Sequence, residues 1–445
     1  MLETMLQLFL AANLLFAPAP DHGKNGEKKD VFAFVNVTVI PMTGERVLMN
    51  QTVVVEGDRI VAIGPVGDVH IPKSAMIIDG EGKFLIPGLS EMHGHIPPPT
   101  QSKQNIENVL FLYVANGITT VRGMLGYENQ LELKERAFNG EIVSPNLYLA
   151  GPSFNGNSIN SPEQAIQRVR AQVIEGWDLL KIHPGLKIEE YDAMAETARE
   201  QGIRFGGHVP ADVGIEHAIE MGQETFDHLD GYVEYVVDEA GYVDENRLTD
   251  IVKRSKEAGI WVVPTMVLWE TILGVGDLDA MKEFPELQYV SPRSVQGWVS
   301  AFERRVGNPD FDPTYMNNIA DARMRILSEL HQQGVRILMG TDAPQQFSVP
   351  GFSLHREMEK MVEAGMSPFE VLKSGSTNVG EYFQNEDDFG TIQVGQRADL
   401  VLLNADPLAS VRNISKRSGV MVKGRWLSEE DIQDRLDEIR QSYDR

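Results

Sequence analysis

Four histidines, one lysine and one aspartate fall at the ends of successive segments that read as β-strands: His93, His95, Lys181, His208, His228 and Asp342. They lie in the motifs LIPGLSEMHGHIP, LLKIHPG, FGGHVP, TFDHLDGY and LMGTDAP. Nitrogen and oxygen donors of this kind suit zinc, with manganese or cobalt as substitutes. The set runs from position 93 to position 342, so only a fold that gathers many strand ends can unite it. A (β/α)8 TIM-like barrel does so at the C-terminal ends of its strands.

The middle of the chain, about 88–389, has the alternation this requires. Eight strand candidates end near His93/His95, Arg122, Ala150, Lys181, His208, His228, Thr265 and Asp342. Helical periodicity fills most of the intervals, as over 161–175 and 187–201. The stretch 270–325 is longer than a usual βα connection, and its Trp269, Trp298, Pro285 and Pro292 point to a helical insertion over the barrel mouth, either a lid or an extra packing pair. Residues 31–87 and 390–430 have a different grammar, short β-branched runs broken by Gly-Asp and Gly-Glu turns. They are expected to form one small β-sandwich domain from both chain ends, giving an α/β architecture.

Residues 4–20, TMLQLFLAANLLFAPAP, have the length of a signal-peptide core and end on small residues, although the leading MLET has no lysine or arginine. Residues 1–30 are therefore expected to be a secretory signal or a disordered extension. A secreted or periplasmic protein is the leading expectation, a cytoplasmic one the alternative. The apolar run is too short for a stable membrane span. The chain of 445 residues carries a net charge of −25, which argues against a nucleic-acid partner. With no cysteine, neither disulfides nor thiolate metal sites can form.

Each candidate residue has a structural alternative. His93-Gly94-His95 places two imidazoles on one face of a strand. His208 and His228 each offer one nitrogen, and their succession after a His-x-His favours ligation over packing. Asp342 is either a ligand that also accepts a proton or the cap of the following helix. Lys181 is either a carboxylated, anionic ligand or an ordinary lysine with its ammonium at the rim or paired with a carboxylate. Tyr232 can hydrogen-bond an oxyanion or a substrate carboxylate, or pack. His183 can touch substrate or support Lys181. Arg122 can clamp a carboxylate or form an internal ion pair.

These motifs, with TTVRGM, GPSFNGNSINSPEQA, LHREMEKMVEAGMSP and the closing GTIQVGQRADLVLLNADPL, make the chain resemble the amidohydrolase superfamily. The branch is that of prolidase-like carboxypeptidases, imidazolonepropionase-related proteins and ochratoxin-degrading amidases, and the likeness covers about 31–426. It implies two divalent metal ions, with zinc preferred: His93, His95 and Asp342 on one, His208 and His228 on the other, and carboxylated Lys181 bridging both. It also implies His355 at the pocket rim. One departure is Gly123, where many relatives carry Asp.

The implied activity is hydrolysis of an amide next to a carboxylate, in a dipeptide, an N-acyl amino acid or an aryl amide, by a metal-bridging hydroxide with Asp342 as proton carrier. A mononuclear lactam hydrolase and a lactonase are the enzymatic alternatives; a metal-binding protein without turnover is the non-enzymatic one. The partner is a small-molecule amide. The superfamily often forms homo-oligomers, but no interface is legible.

Overall fold

The computed structural model describes residues 30–443. The expected signal or extension, residues 1–30, lies outside them except for Asp30.

Among the described residues the strands are β1 (Val31–Val39), β2 (Leu48–Glu56), β3 (Arg59–Pro65), β4 (Met76–Asp79), β5 (Phe84–Pro87), β6 (Leu89–Gly94), β7 (Ile118–Gly123), β8 (Asn146–Leu149), β9 (Leu179–Ile182), β10 (Arg204–Gly207), β11 (Thr225–Asp227), β12 (Trp261–Val263), β13 (Arg336–Ile337), β14 (Leu400–Leu403), β15 (Arg417–Val422) and β16 (Arg425–Ser428). β6 to β8 form one parallel sheet and β9 to β13 a second, each in chain order. Hydrogen bonds join the two at both seams. Ala150 bridges Leu179 at one. At the other, Met92 N donates to Met339 O at 2.9 Å and His95 N to Ala343 O at 2.7 Å. The result is a ring of eight parallel strands. Every residue of β6, β7, β8 and β9 is buried, as expected of strands covered on both faces.

The helix expected over 161–175 runs Pro162–Glu175. Ser161 caps its start, Pro162 opens it, and Gly176 ends it in a left-handed conformation. The helix expected over 187–201 runs Ile188–Gln201 and ends on Gly202 in the same way. Long connections therefore return each strand to the same end of the ring.

Both chain ends meet in one eight-stranded sheet, ordered β16-β15-β14-β5-β1-β2-β3, with β4 beside β1. β1 bends at its bulges, so β4 pairs with Phe32–Val35 and β5 with Thr38–Val39. The sheet curls until Phe34 of β1 meets Trp426 of β16 with ring centroids 5.3 Å apart. Its inner face buries Phe34, Val53, Leu85, Leu400 and Met421. It is continuous rather than two separate facing sheets.

The 270–325 stretch holds helices Leu278–Lys282 and Pro292–Val306, a 3-10 turn Pro285–Tyr289, and the start of helix Pro313–Gln333. Tyr289, Ser294 and Trp298 share a cavity lining with His95, which sets this stretch over the C-terminal ends of the strands.

Candidate metal centre

The six residues expected as ligands come from five strand ends of the ring. His93 lies on β6 and Lys181 on β9; His95, His208, His228 and Asp342 follow β6, β10, β11 and β13. The rings converge: His93 lies 4.3 Å from His228 and 5.5 Å from His95, and His208 lies 4.5 Å from His228, between centroids. Donor atoms of His93, His95 and Asp342 all lie within 4.8 Å of one another. Asp342 also has an oxygen 3.7 Å from His228 Nε2. The backbone is left-handed at His228 (φ 65), Thr265 (φ 48) and Asp342 (φ 63). Such conformations are unfavourable away from glycine and gather at functional sites.

Three imidazoles are fixed from behind. His93 Nδ1 lies 2.6 Å from Asp227 Oδ2, His208 Nδ1 2.6 Å from Asp230 Oδ2, and His228 Nδ1 2.8 Å from Thr265 Oγ1. A proton on Nδ1 leaves each Nε2 lone pair directed away from these partners, as a ligating histidine needs. Burial pushes the Asp227 carboxyl up, but Arg122, Lys181 and His228 together outweigh that and hold it below its usual range. Burial, then Lys181, keeps His208 down to about 3, so it stays neutral and able to donate a lone pair.

Lys181 is completely buried. Its Nζ lies 3.0 Å from His93 Nε2, and it makes no ion pair among the described residues. Burial pushes its ammonium down to about 8. The donor set fits divalent cations on two further observations. His228 Nε2 is buried with no hydrogen-bond partner among the described residues. Asp342 Oδ1 comes within 2.5 Å of His95 Nε2 without hydrogen-bond geometry, as two donors aimed at a common point would. A shared cation would satisfy both.

The substrate residues expected from sequence fare differently. Arg122 is fully buried. It donates to Met92 O at 2.6 Å, to Thr225 Oγ1 at 3.0 Å and to Asp227 at 2.9 Å. Its fork is occupied, so it is the internal ion pair and cannot clamp a carboxylate. Tyr232 is also fully buried, and its hydroxyl donates to Ser255 Oγ at 2.8 Å, so it is not available to an oxyanion. His355 sits on helix Phe352–Glu363 with Nε2 3.4 Å from Arg417 Nη1 of β15. That places it against the curled sheet rather than at the pocket rim. His183 does stay with the cluster, its ring 5.0 Å from that of His208.

Several contributors escaped the sequence reading. Asp227 and Asp230 flank His228 in DHLD, and that acidic pairing was a usable signal. Glu91, two residues before His93, accepts from Thr341 N at 2.7 Å and Thr341 Oγ1 at 2.6 Å, tying β6 to the loop that carries Asp342. Arg323 donates to His228 O and lies over the Trp269 ring at 3.8 Å. Nothing in its sequence context marks it.

A cavity of about 600 Å³ opens from His95 between residues 96–127 and 289–298.

Comparison with known proteins adds three findings. The profile of the Amidohydrolase family matches residues 84–427. A 5-methylthioadenosine/S-adenosylhomocysteine deaminase of Caldanaerobacter subterraneus subsp. tengcongensis is 22% identical over 390 residues, covering 83% of each chain. Among solved structures, a bottromycin amidohydrolase superposes with a TM-score of 0.73 at 23% identity, over 94% of this chain and 91% of the other. A Xaa-Pro dipeptidase with bound methionine gives 0.67 at 18% identity, over 90% and 100%. At these identities the structural likeness speaks for the fold, and it implies the TIM-like barrel that the ring of eight strands describes.

Proposed function

The chain belongs to the amidohydrolase family and is a metal-dependent hydrolase of C–N bonds, and from this we propose that it cleaves an amide next to a carboxylate using two divalent cations. His93, His95 and Asp342 would hold one cation, His208 and His228 the other, and Lys181, carboxylated, would bridge them. The observation that carries this reading is Lys181: a lysine buried among the four histidines with no ion pair among the described residues. An unpaired buried cation is unfavourable. Carboxylation converts it into an anion with two oxygens, which the surrounding donor set can use.

The ions, when bound, would polarise the amide carbonyl and lower the pKa of an attacking water. The chain's own residues do the rest. Asp342 accepts the proton of the attacking water on a carboxylate oxygen and returns it to the leaving nitrogen. Asp227, Asp230 and Thr265 hold the three imidazoles against rotation, so the donors need little rearrangement. Glu91 and Thr341 fix the loop on which Asp342 rides. The dipeptidase likeness supports an amide beside a carboxylate.

A single-cation hydrolase of a lactam or amidine is the second reading. The close grouping of His93, His95 and Asp342 favours it, since those three suffice for one ion. The deciding experiment is metal content on protein purified with zinc and bicarbonate, run beside hydrolysis of dipeptides, N-acyl amino acids and lactams, with a chelated control. Two equivalents of metal and chelator-sensitive release of an amino acid are expected. One equivalent with ring opening alone would move the assignment to the second reading.

A further inference from the structure

The cavity above His95 differs from the rest of the molecule in its chemistry. Apolar walls come from Ile96, Val109, Leu112, Tyr127, Tyr289 and Trp298. The polar atoms between them are amides and hydroxyls, such as those of Asn105 and Ser294. Among the described residues, none of the twenty that line it is Asp, Glu, Lys or Arg, although 24% of the chain is charged and 24% of twenty is about five. Away from the proposed cation beside His95, a charged group entering here would lose hydration and meet no charged side chain among the described lining residues. A neutral apolar group would gain in proportion to the area it buries.

The aromatic walls are braced. Tyr289 stacks on Phe352 with centroids 5.4 Å apart and planes at 20°. Trp298 packs on Phe347 at 5.7 Å. The last described helix, Glu429–Tyr443, ends at the cavity, where the Tyr443 hydroxyl donates to Asn105 Oδ1 at 2.8 Å. Three distant segments are thus committed to one cavity of about 600 Å³, the size of pocket that encloses a drug-sized group.

We infer that one substituent of the scissile amide is a bulky, uncharged aromatic or aliphatic group that seats against Tyr289 and Trp298, and that these two residues set specificity. This rests on the amide-hydrolase reading, and it places the substrate carboxylate outside this cavity.

The test compares kcat/KM for N-acetylglycine, N-(2-naphthoyl)glycine and N-(6-carboxy-2-naphthoyl)glycine, with the same three groups then moved to the amine side. In one series the naphthyl compound should exceed the acetyl one by roughly tenfold or more, and the carboxylated compound should fall below the naphthyl one by a similar factor. Trp298→Ala should shrink the naphthyl-to-acetyl ratio. Ser294→Lys, at an exposed helix start, should raise kcat/KM for the carboxylated compound without disturbing packing. Equal or better cleavage of the acetyl or carboxylated compounds, or a ratio untouched by Trp298→Ala, overturns the inference. If no amide is cleaved, the amide reading fails by itself. Tryptophan quenching of the metal-loaded protein by the two naphthyl probes then reads the cavity alone: tighter binding of the neutral probe supports the seating of an uncharged group against Tyr289 and Trp298, and equal or weaker binding overturns it.

Discussion

Asp227 stands 2.6 Å behind His93, with the oxygen that meets Nδ1 also 2.9 Å from Arg122 Nη2. One buried carboxylate thereby orients a candidate metal ligand and neutralises a buried guanidinium. Asp227→Asn should lower metal affinity about 10- to 100-fold through the lost orientation of His93. It should also destabilise the fold by about 3–5 kcal/mol, because Arg122 is left unpaired. Chelator competition reads the first effect and thermal melting the second; a variant that melts early but keeps full affinity would refute the orienting role.

Lys181→Ala removes the proposed bridge. Metal content should drop from two equivalents to one or none, and turnover should vanish. Short carboxylic acids should restore part of both by occupying the space of the missing side chain. Unchanged metal content by elemental analysis would exclude Lys181 from the centre.

Asp342→Asn keeps the shape of the side chain but removes the proton acceptor. Turnover should fall by about two to four orders of magnitude, while some metal stays bound. Near-normal kcat would rule out the proton role.

Tyr232→Phe should separate packing from chemistry. The hydroxyl meets Ser255 rather than substrate, so kcat/KM should stay near wild type. Stability should fall by about 1 kcal/mol for the lost internal hydrogen bond. A large drop in kcat with unchanged melting would contradict the observed geometry.

Glu357 supplies a pH signature. Its carboxylate caps the helix Met266–Leu273, accepting from Met266 N and Val267 N at 2.9 Å each. Burial pushes its carboxyl from 4.5 up to about 7 despite those bonds. Its folded pKa is raised, so its stabilising contribution is complete below about pH 4.5 and is lost as pH rises through 7. The loss is roughly 3 kcal/mol at most. Glu357→Gln should flatten this part of the stability–pH curve; a curve of unchanged slope would assign the effect to another group.

The convergence of the six candidate ligands is legible in the sequence because metal binding restricts residue type, and a parallel αβ chain restricts where strand ends meet. Arg122 and Tyr232 were not assignable on the same grounds. Whether a residue at a strand end faces the centre or the core depends on a one-residue shift of register. After His228 the chain leaves the strand through left-handed turns at His228, Leu229 and Gly231, and these turn Tyr232 into the core toward Ser255. No periodicity announces such a bend. His355 came from family likeness alone, and its helix presents it to Arg417. Arg323 reaches the back of the centre from a helix of another segment, a contact made only by folding.

Between the two sheets the chain spends a single residue. Gly88 N is bonded to Asp399 O on the small sheet, and Leu89 N to Gly117 O in the ring of strands. A side chain at Gly88 would run into that of Thr119. His93 is only five positions further on. The small sheet is therefore less an appendage than a handle: a displacement of β14 against β5 is delivered, with no joint to absorb it, to His93, the first of the candidate ligands.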